Sequence, residues 1–130
     1  MTLITDTLAD FGRSMGIENL ALRDNGTLSL NMEQLGTLAI ELIGERREDV
    51  SISLMRRIET PDSQACQRLL ESCHYRNPAP FPVRVGLTSQ GELLFAIRMD
   101  TRQFTLPSIH QALEWLISLH DQNSSSVRYA

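Results

Sequence analysis

The sequence predicts a single α+β domain in which a twisted antiparallel sheet is flanked by helices. Three observations lead there. Apolar residues recur at helical spacing near both ends of the chain and once in the middle. Between those stretches they alternate at every second position, as half-buried strands do. Two of the alternating stretches turn on short polar loops that end in glycine, Asp24-Asn25-Gly26 and Ser89-Gln90-Gly91.

The first helix spans 2–15, where Ile4, Leu8, Phe11 and Met15 form a narrow apolar stripe. Thr2 or Thr5 supplies its cap, and Gly16 stops it. A hairpin follows, Leu20-Ala21-Leu22 with Leu28 to Met32. A two-residue Asn-Gly loop would put Leu22 opposite Ser29 and leave the strands without a common apolar side. A loop of Asp24-Asn25-Gly26 instead sets Leu22 opposite Leu28 and Leu20 opposite Leu30, with Gly26 left-handed in a bulge. Leu38, Ile40 and Leu42 alternate in the next strand and Val50, Ile52 and Leu54 in the one after, joined by the polar turn 45–49. Together these strands make a four-stranded meander with Ser51 and Ser53 facing out.

A second helix starts with Thr60 as its cap and Pro61 in its first turn. Its apolar face is Ala65, Cys66, Leu69, Leu70 and Cys73, and the proline-rich stretch 77–82 ends it. The second hairpin obeys the same register test as the first: a Ser89-Gln90-Gly91 loop pairs Leu87 with Leu93, Val85 with Phe95 and Val83 with Ile97. A last helix runs from Ser108 to Gln122 with Ser108 and Gln111 spaced as a capping box. Its apolar positions cover roughly 200° of arc, against the ~100° that an ordinary surface helix needs. Residues 1–122 therefore read as the folded domain and 123–130 as a disordered tail.

Composition narrows the function. Apolar content of 42% and charged content of 22% fit a soluble globular protein. The N-terminus lacks a basic segment followed by an apolar stretch, and no apolar run reaches membrane-spanning length, so a cytoplasmic location without membrane insertion is expected. A net charge of −4 argues against nucleic acid as a partner. All 12 basic residues are arginines, which a GC-rich coding bias explains more simply than a role in paired contacts. Cys66 and Cys73 lie about 10.5 Å apart along one helix, beyond disulfide reach, and read as small apolar groups.

Catalytic chemistry is not expected. His74, His110 and His120 lack the spacing of a zinc pair, and the cysteines form no Cys-x-x-Cys, so no metal is predicted. Cys73 and His74 are helix neighbours that point about 100° apart, which rules out direct contact as nucleophile and base. No glycine-rich loop is placed to hold a phosphate, and no cofactor is predicted. What remains is surplus apolar surface, and with no active site competing for it, that surplus points to a partner protein.

The order of motifs carries a resemblance. Residues 11–32, with Phe11, Gly12, Gly16, Leu20, Leu22, Asn25, Gly26, Leu28 and Leu30, followed by Leu38, Glu41 and Leu42, resemble the opening of class I type III secretion chaperones, the Tir-chaperone (CesT-like) family. The resemblance is specific over about the first 45 residues and continues in order and character beyond them. Met15 and Ile17 stand where the family has leucines, and two cysteines replace aliphatics on the second helix. It implies an α-β-β-β-α-β-β-α homodimer in the cytoplasm of a Gram-negative bacterium, with the extra leading strand as a short additional segment. It implies a chaperone, not an enzyme, that holds the N-terminal region of a type III secreted effector in extended form. By the same resemblance the dimer interface is Cys66, Leu69, Leu70, Cys73, Val83, Val85 and Leu87. The effector grooves are built from Ile4, Leu8 and Phe11 and from the sheet residues Leu28 and Leu30. The alternative is a small α+β enzyme or ligand-binding domain with a pocket between helix and sheet.

Overall fold

The computed structural model describes residues 2–59, 62–72 and 81–124. Helix α1 (Thr2–Ser14) is followed by strands β1 (Thr27–Met32), β2 (Gly36–Ile43) and β3 (Asp49–Arg57). Helix α2 (Ser63–Ser72), strands β4 (Val83–Leu87) and β5 (Glu92–Asp100), a single 3-10 turn and helix α3 (Leu106–Gln122) complete the order. The five strands form one antiparallel sheet in the order β1-β2-β3-β5-β4. The second hairpin therefore joins β3 through its far strand, β5, which leaves β4 at the outer edge.

Alternation decides which side is covered. Leu38, Ile40 and Leu42 on β2, Val50, Ile52 and Leu54 on β3, and Leu93, Phe95, Ile97 and Met99 on β5 share one face and are all buried. Ser51 and Ser53 lie on the opposite face, beside Arg98 and Ala96 of β5. Helix α3 packs on β3 and β5, and α1 packs on α3. The wide apolar arc of α3 is thus used up by two neighbours: Ile109, Ala112 and Leu116 are fully buried, and His110 meets Phe11 of α1 edge to face at 5.6 Å. Ile117 is half-buried against the same core.

Both glycine-ended loops have the geometry that the leucine register demands. Gly26 N–H donates to Arg23 O and Arg23 N–H donates to Thr27 O, both at 2.8 Å, with Gly26 at φ 79°. The second loop repeats this with Gly91 N–H to Thr88 O (3.2 Å), Thr88 N–H to Glu92 O (2.9 Å) and Gly91 at φ 80°. The β4–β5 register is the expected one, Leu87 with Leu93, Val85 with Phe95 and Val83 with Ile97.

The structure corrects three expectations. Leu20-Ala21-Leu22 is not a strand, so the leading meander has three strands and not four. Past the first rung the chain leaves β1, because Asn19 is left-handed (φ 57°) and Leu20 seats its side chain against Gly12. A Cβ on Gly12 would lie 2.7 Å from Cβ of Leu20, so only glycine lets the two segments approach this closely. Second, Asp62 caps α2: its Oδ1 accepts from Ala65 N–H at 2.7 Å, two residues after the expected Thr60, which with Pro61 lies outside the described residues. Third, Thr105 caps α3, its Oγ1 accepting from Ser108 N–H, and Pro107 sits in the first turn where its missing N–H costs nothing. At the other end Asn123 is buried and its side-chain amide donates to Leu119 O at 2.7 Å, so the packed domain reaches that residue.

Candidate partner-binding surfaces

Strand β4 alternates Val83, Val85 and Leu87 with Arg84 and Gly86, so its apolar residues share the covered face with Ile97, Phe95 and Leu93. Helix α3 lies over β3 and β5 and stops short of this edge. The ten-residue α2 covers part of the gap, burying Ala65 and Leu69. What it leaves open is an apolar cleft of about 230 Å³ lined by Cys66, Leu69, Leu70, Val85, Gly86 and Leu87. Leu70 is 65% exposed and Leu87 47%, the two most exposed large apolar side chains described. Five of the seven residues expected at a dimer interface therefore meet at one place. Val83 is half-buried one rung farther along, and Cys73 lies outside the described residues.

The ladder phase adds to this edge. Since Thr88 bonds to Glu92, the paired residues on β4 are Gly86 and Arg84, and Val83, Val85 and Leu87 turn their N–H and C=O groups outward. The same residues carry the apolar side chains. Gly86, which the sequence reading did not single out, lines the cleft with its backbone, because a Cβ there would project to the opposite face, 3.9 Å from the Leu94 side chain.

The opposite edge is built differently. Leu42 N–H donates to Gly26 O at 2.9 Å, which fixes the phase: Leu28 and Leu30 bond to β2, while Thr27, Ser29 and Asn31 face the free edge. Thr27 is satisfied there by Arg23 N–H and by the Asn25 side chain. Ser29 and Asn31 have no backbone partner on that side among the described residues. Leu28, Leu30 and Met32 point to the covered face and are half-buried, packed against the core. Ile4, Leu8 and Phe11 are placed elsewhere: at 4%, 0% and 0% exposure they are core residues holding α1, with no surface to offer a partner in this arrangement.

The remaining polar groups serve the fold. His120 is fully buried, donates from Nε2 to Leu54 O at 2.8 Å and meets Phe95 edge to face at 4.8 Å. Burial pushes its pKa down to about 4, with the nearby Arg56 adding to the effect and the bond to Leu54 and the charge of Asp121 opposing it. Arg56 donates to Leu35 O (2.6 Å) and pairs with Asp121 (3.1 Å), tying the β1–β2 turn to the end of α3. Among the described residues no cluster of His, Cys, Asp and Glu could hold a metal ion, and no helix is long and apolar enough to cross a membrane. The space between α3 and the sheet, where a ligand pocket was the alternative, is filled by Phe95, Ile97, Ile109 and Leu116, all fully buried.

A family model for the type III secretory system chaperone SycN matches residues 3–124. The chain belongs to that family. It is 25% identical to the chaperone protein SycN of Yersinia enterocolitica over 123 residues, 94% of this chain and 97% of the relative, and equally to that of Yersinia pseudotuberculosis. In structure it is similar to a chain of the ExsC–ExsE complex (TM-score 0.78, 17% identity, 98% of this chain and 96% of the other). It is also similar to Yersinia pestis SycH in complex with a fragment of YscM2 (TM-score 0.68, 16% identity, 95% and 98%). For a SycN-family chaperone, two unlike sheet edges and a solidly filled interior direct attention to binding along the edges.

Proposed function

We propose that this SycN-family chaperone holds the N-terminal region of a type III secreted effector as an extended strand along β1, and forms a homodimer through the α2–β4 cleft. The observation that carries the first half is the β1 edge, where unpartnered backbone groups at Ser29 and Asn31 stand beside the half-buried Leu28 and Leu30. A client strand could bond to the former and place alternate apolar side chains against the latter, gaining affinity without folding into its own domain. The structural neighbours named above as complexes support this reading by analogy. The Phe11-Gly12 and Asn25-Gly26 motifs favour the class I, Tir-chaperone pattern and a cytoplasmic site in a Gram-negative host.

Homodimerisation is supported by the convergence of Leu70 and Leu87, both exposed, on one apolar cleft beside a strand edge that is unpaired among the described residues. A stable interface buries about 800 Å² on each partner, and a two-fold axis would set the same cleft against itself. Capture from the native host with mass spectrometry identifies the client, and hydrogen exchange then maps it. Protection of Ser29 and Asn31 amides on binding is the expected result, and binding that survives deletion of the client's N-terminal region refutes the reading. Light scattering tests the second half, and a monomer at micromolar concentration refutes it.

A further inference from the structure

We propose that segment 19–22 is a strap that competes with the client strand for the β1 edge. This rests on the reading above that a client lies along β1. The hairpin that would carry the strap onto β1 is already nucleated: its loop is formed, and the first rung, Arg23 to Thr27, is in place. Continuing that register sets Ala21 opposite Ser29 and Asn19 opposite Asn31. Those are the two β1 residues whose outward backbone groups have no partner among the described residues. The same register puts Leu22 opposite Leu28 and Leu20 opposite Leu30, so the strap's apolar face also matches.

Two features hold it off. Asn19 is left-handed at φ 57°, which turns the chain away, and Leu20 is 7% exposed in its seat against Gly12. Asparagine is among the few residues that adopt this backbone conformation readily and also leave it readily. Leu20 has an apolar seat in either arrangement, against Gly12 or opposite Leu30, so moving the strap exchanges one burial for another. Closing it, rung by rung from Arg23, would displace a bound strand from the same hydrogen-bonding groups. The fold thereby contains its own competitor for the client.

The test locks the strap. Ala21→Cys and Ser29→Cys, introduced with Cys66→Ser and Cys73→Ser, place thiols at a bonded antiparallel pair. Its Cα separation of about 5.5 Å suits a disulfide. The probe is a synthetic octapeptide alternating leucine and threonine. Oxidation should weaken peptide binding by at least about tenfold and reduction should restore it, as expected when the competent state is withdrawn. Asn19→Val, which disfavours positive φ, should weaken binding in the same direction, while Asn19→Gly should bind like the parent. Equal binding by the oxidised and reduced proteins, or by the two Asn19 variants, overturns the strap. A parent protein whose Ser29 and Asn31 amides gain no protection from the peptide overturns the strand-addition reading itself, whatever the strap variants do.

Discussion

The two edges of the sheet expose the same kind of backbone and dress it in opposite ways. At β4 the residues whose N–H and C=O groups point away from β5, with no partner among the described residues, are Val83, Val85 and Leu87, whose side chains lie on the covered, apolar face. At β1 they are Ser29 and Asn31, whose side chains lie on the open face, while Leu28 and Leu30 are half-buried between them. A partner at β4 meets apolar side chains and backbone at one line, which suits a permanent neighbour. A partner at β1 gains backbone bonds first and apolar contact only in part, which suits one that must leave. The difference comes from a one-residue phase in each ladder, set by Gly26 at one edge and by Thr88 at the other.

The largest effect expected separates core from edge on the β1 side. Leu8→Ala should cost about 2–5 kcal/mol in denaturant unfolding, since Leu8 is fully buried, whereas half-buried Leu28→Ala should cost about 1 kcal/mol. Equal costs would mean that α1 is not core and would return Leu8 to the candidate binding surface. Next comes a residue common to both edges. His120 is neutral when folded and its pKa is lowered to about 4, so its contribution is complete above the unfolded value of 6.5 and is lost as pH falls toward 4. Stability should fall by about 2–3 kcal/mol across that window, and the drop should largely vanish in His120→Gln. Unlike an edge substitution, acid should loosen α3 from β3 and so affect both edges together.

Smaller effects address each edge alone. Gly26→Val should destabilise by about 1–3 kcal/mol because valine fits φ 79° badly, and Gly26→Asn should be milder. Equal losses would argue that the Arg47 side chain, 3.3 Å from where a Cβ would sit, is the obstacle and not the backbone. Smallest in stability are Leu70→Asp and Leu87→Asp, each within about 0.5 kcal/mol for the protomer because both side chains are exposed. Light scattering should nonetheless show each variant as a monomer, and a persistent dimer would move the interface away from the cleft.

Much of this was legible in the sequence where one force dominated. The β4–β5 register followed from leucines that had to share a face, and the same test placed the Asp24-Asn25-Gly26 loop. It failed one step further, at Leu20-Ala21-Leu22, because alternation cannot reveal that Gly12 offers Leu20 a seat elsewhere. Helix caps were misplaced by two residues at α2 and by three at α3, since Thr60, Asp62, Thr105 and Ser108 all have side chains that can cap and only the path of the chain chooses among them. The site was half legible for a related reason. The stripe Ile4, Leu8, Phe11 announces an apolar face without saying whether α3 or a partner covers it. The cleft residues could be grouped because α2 and β4 were each apolar on one side, but Gly86 and the free groups of Ser29 and Asn31 depend on ladder phase, which no residue type encodes.

The strand order carries a consequence for how the chain is made. Strand β3 pairs not with the next strand to emerge from the ribosome but with β5, so residues 49–57 wait for residues 92–100 before their second side is closed. Synthesis at about 5–20 residues per second makes that a wait of seconds. Strand β4 has no strand to lie on until β5 exists, because β5 is its sole neighbour in the sheet among the described residues. Helix α2 therefore leaves the ribosome before the floor of its cleft has been laid. The cleft is among the last surfaces to be completed, and any subunit that docks there can recognise only a chain whose sheet is already finished.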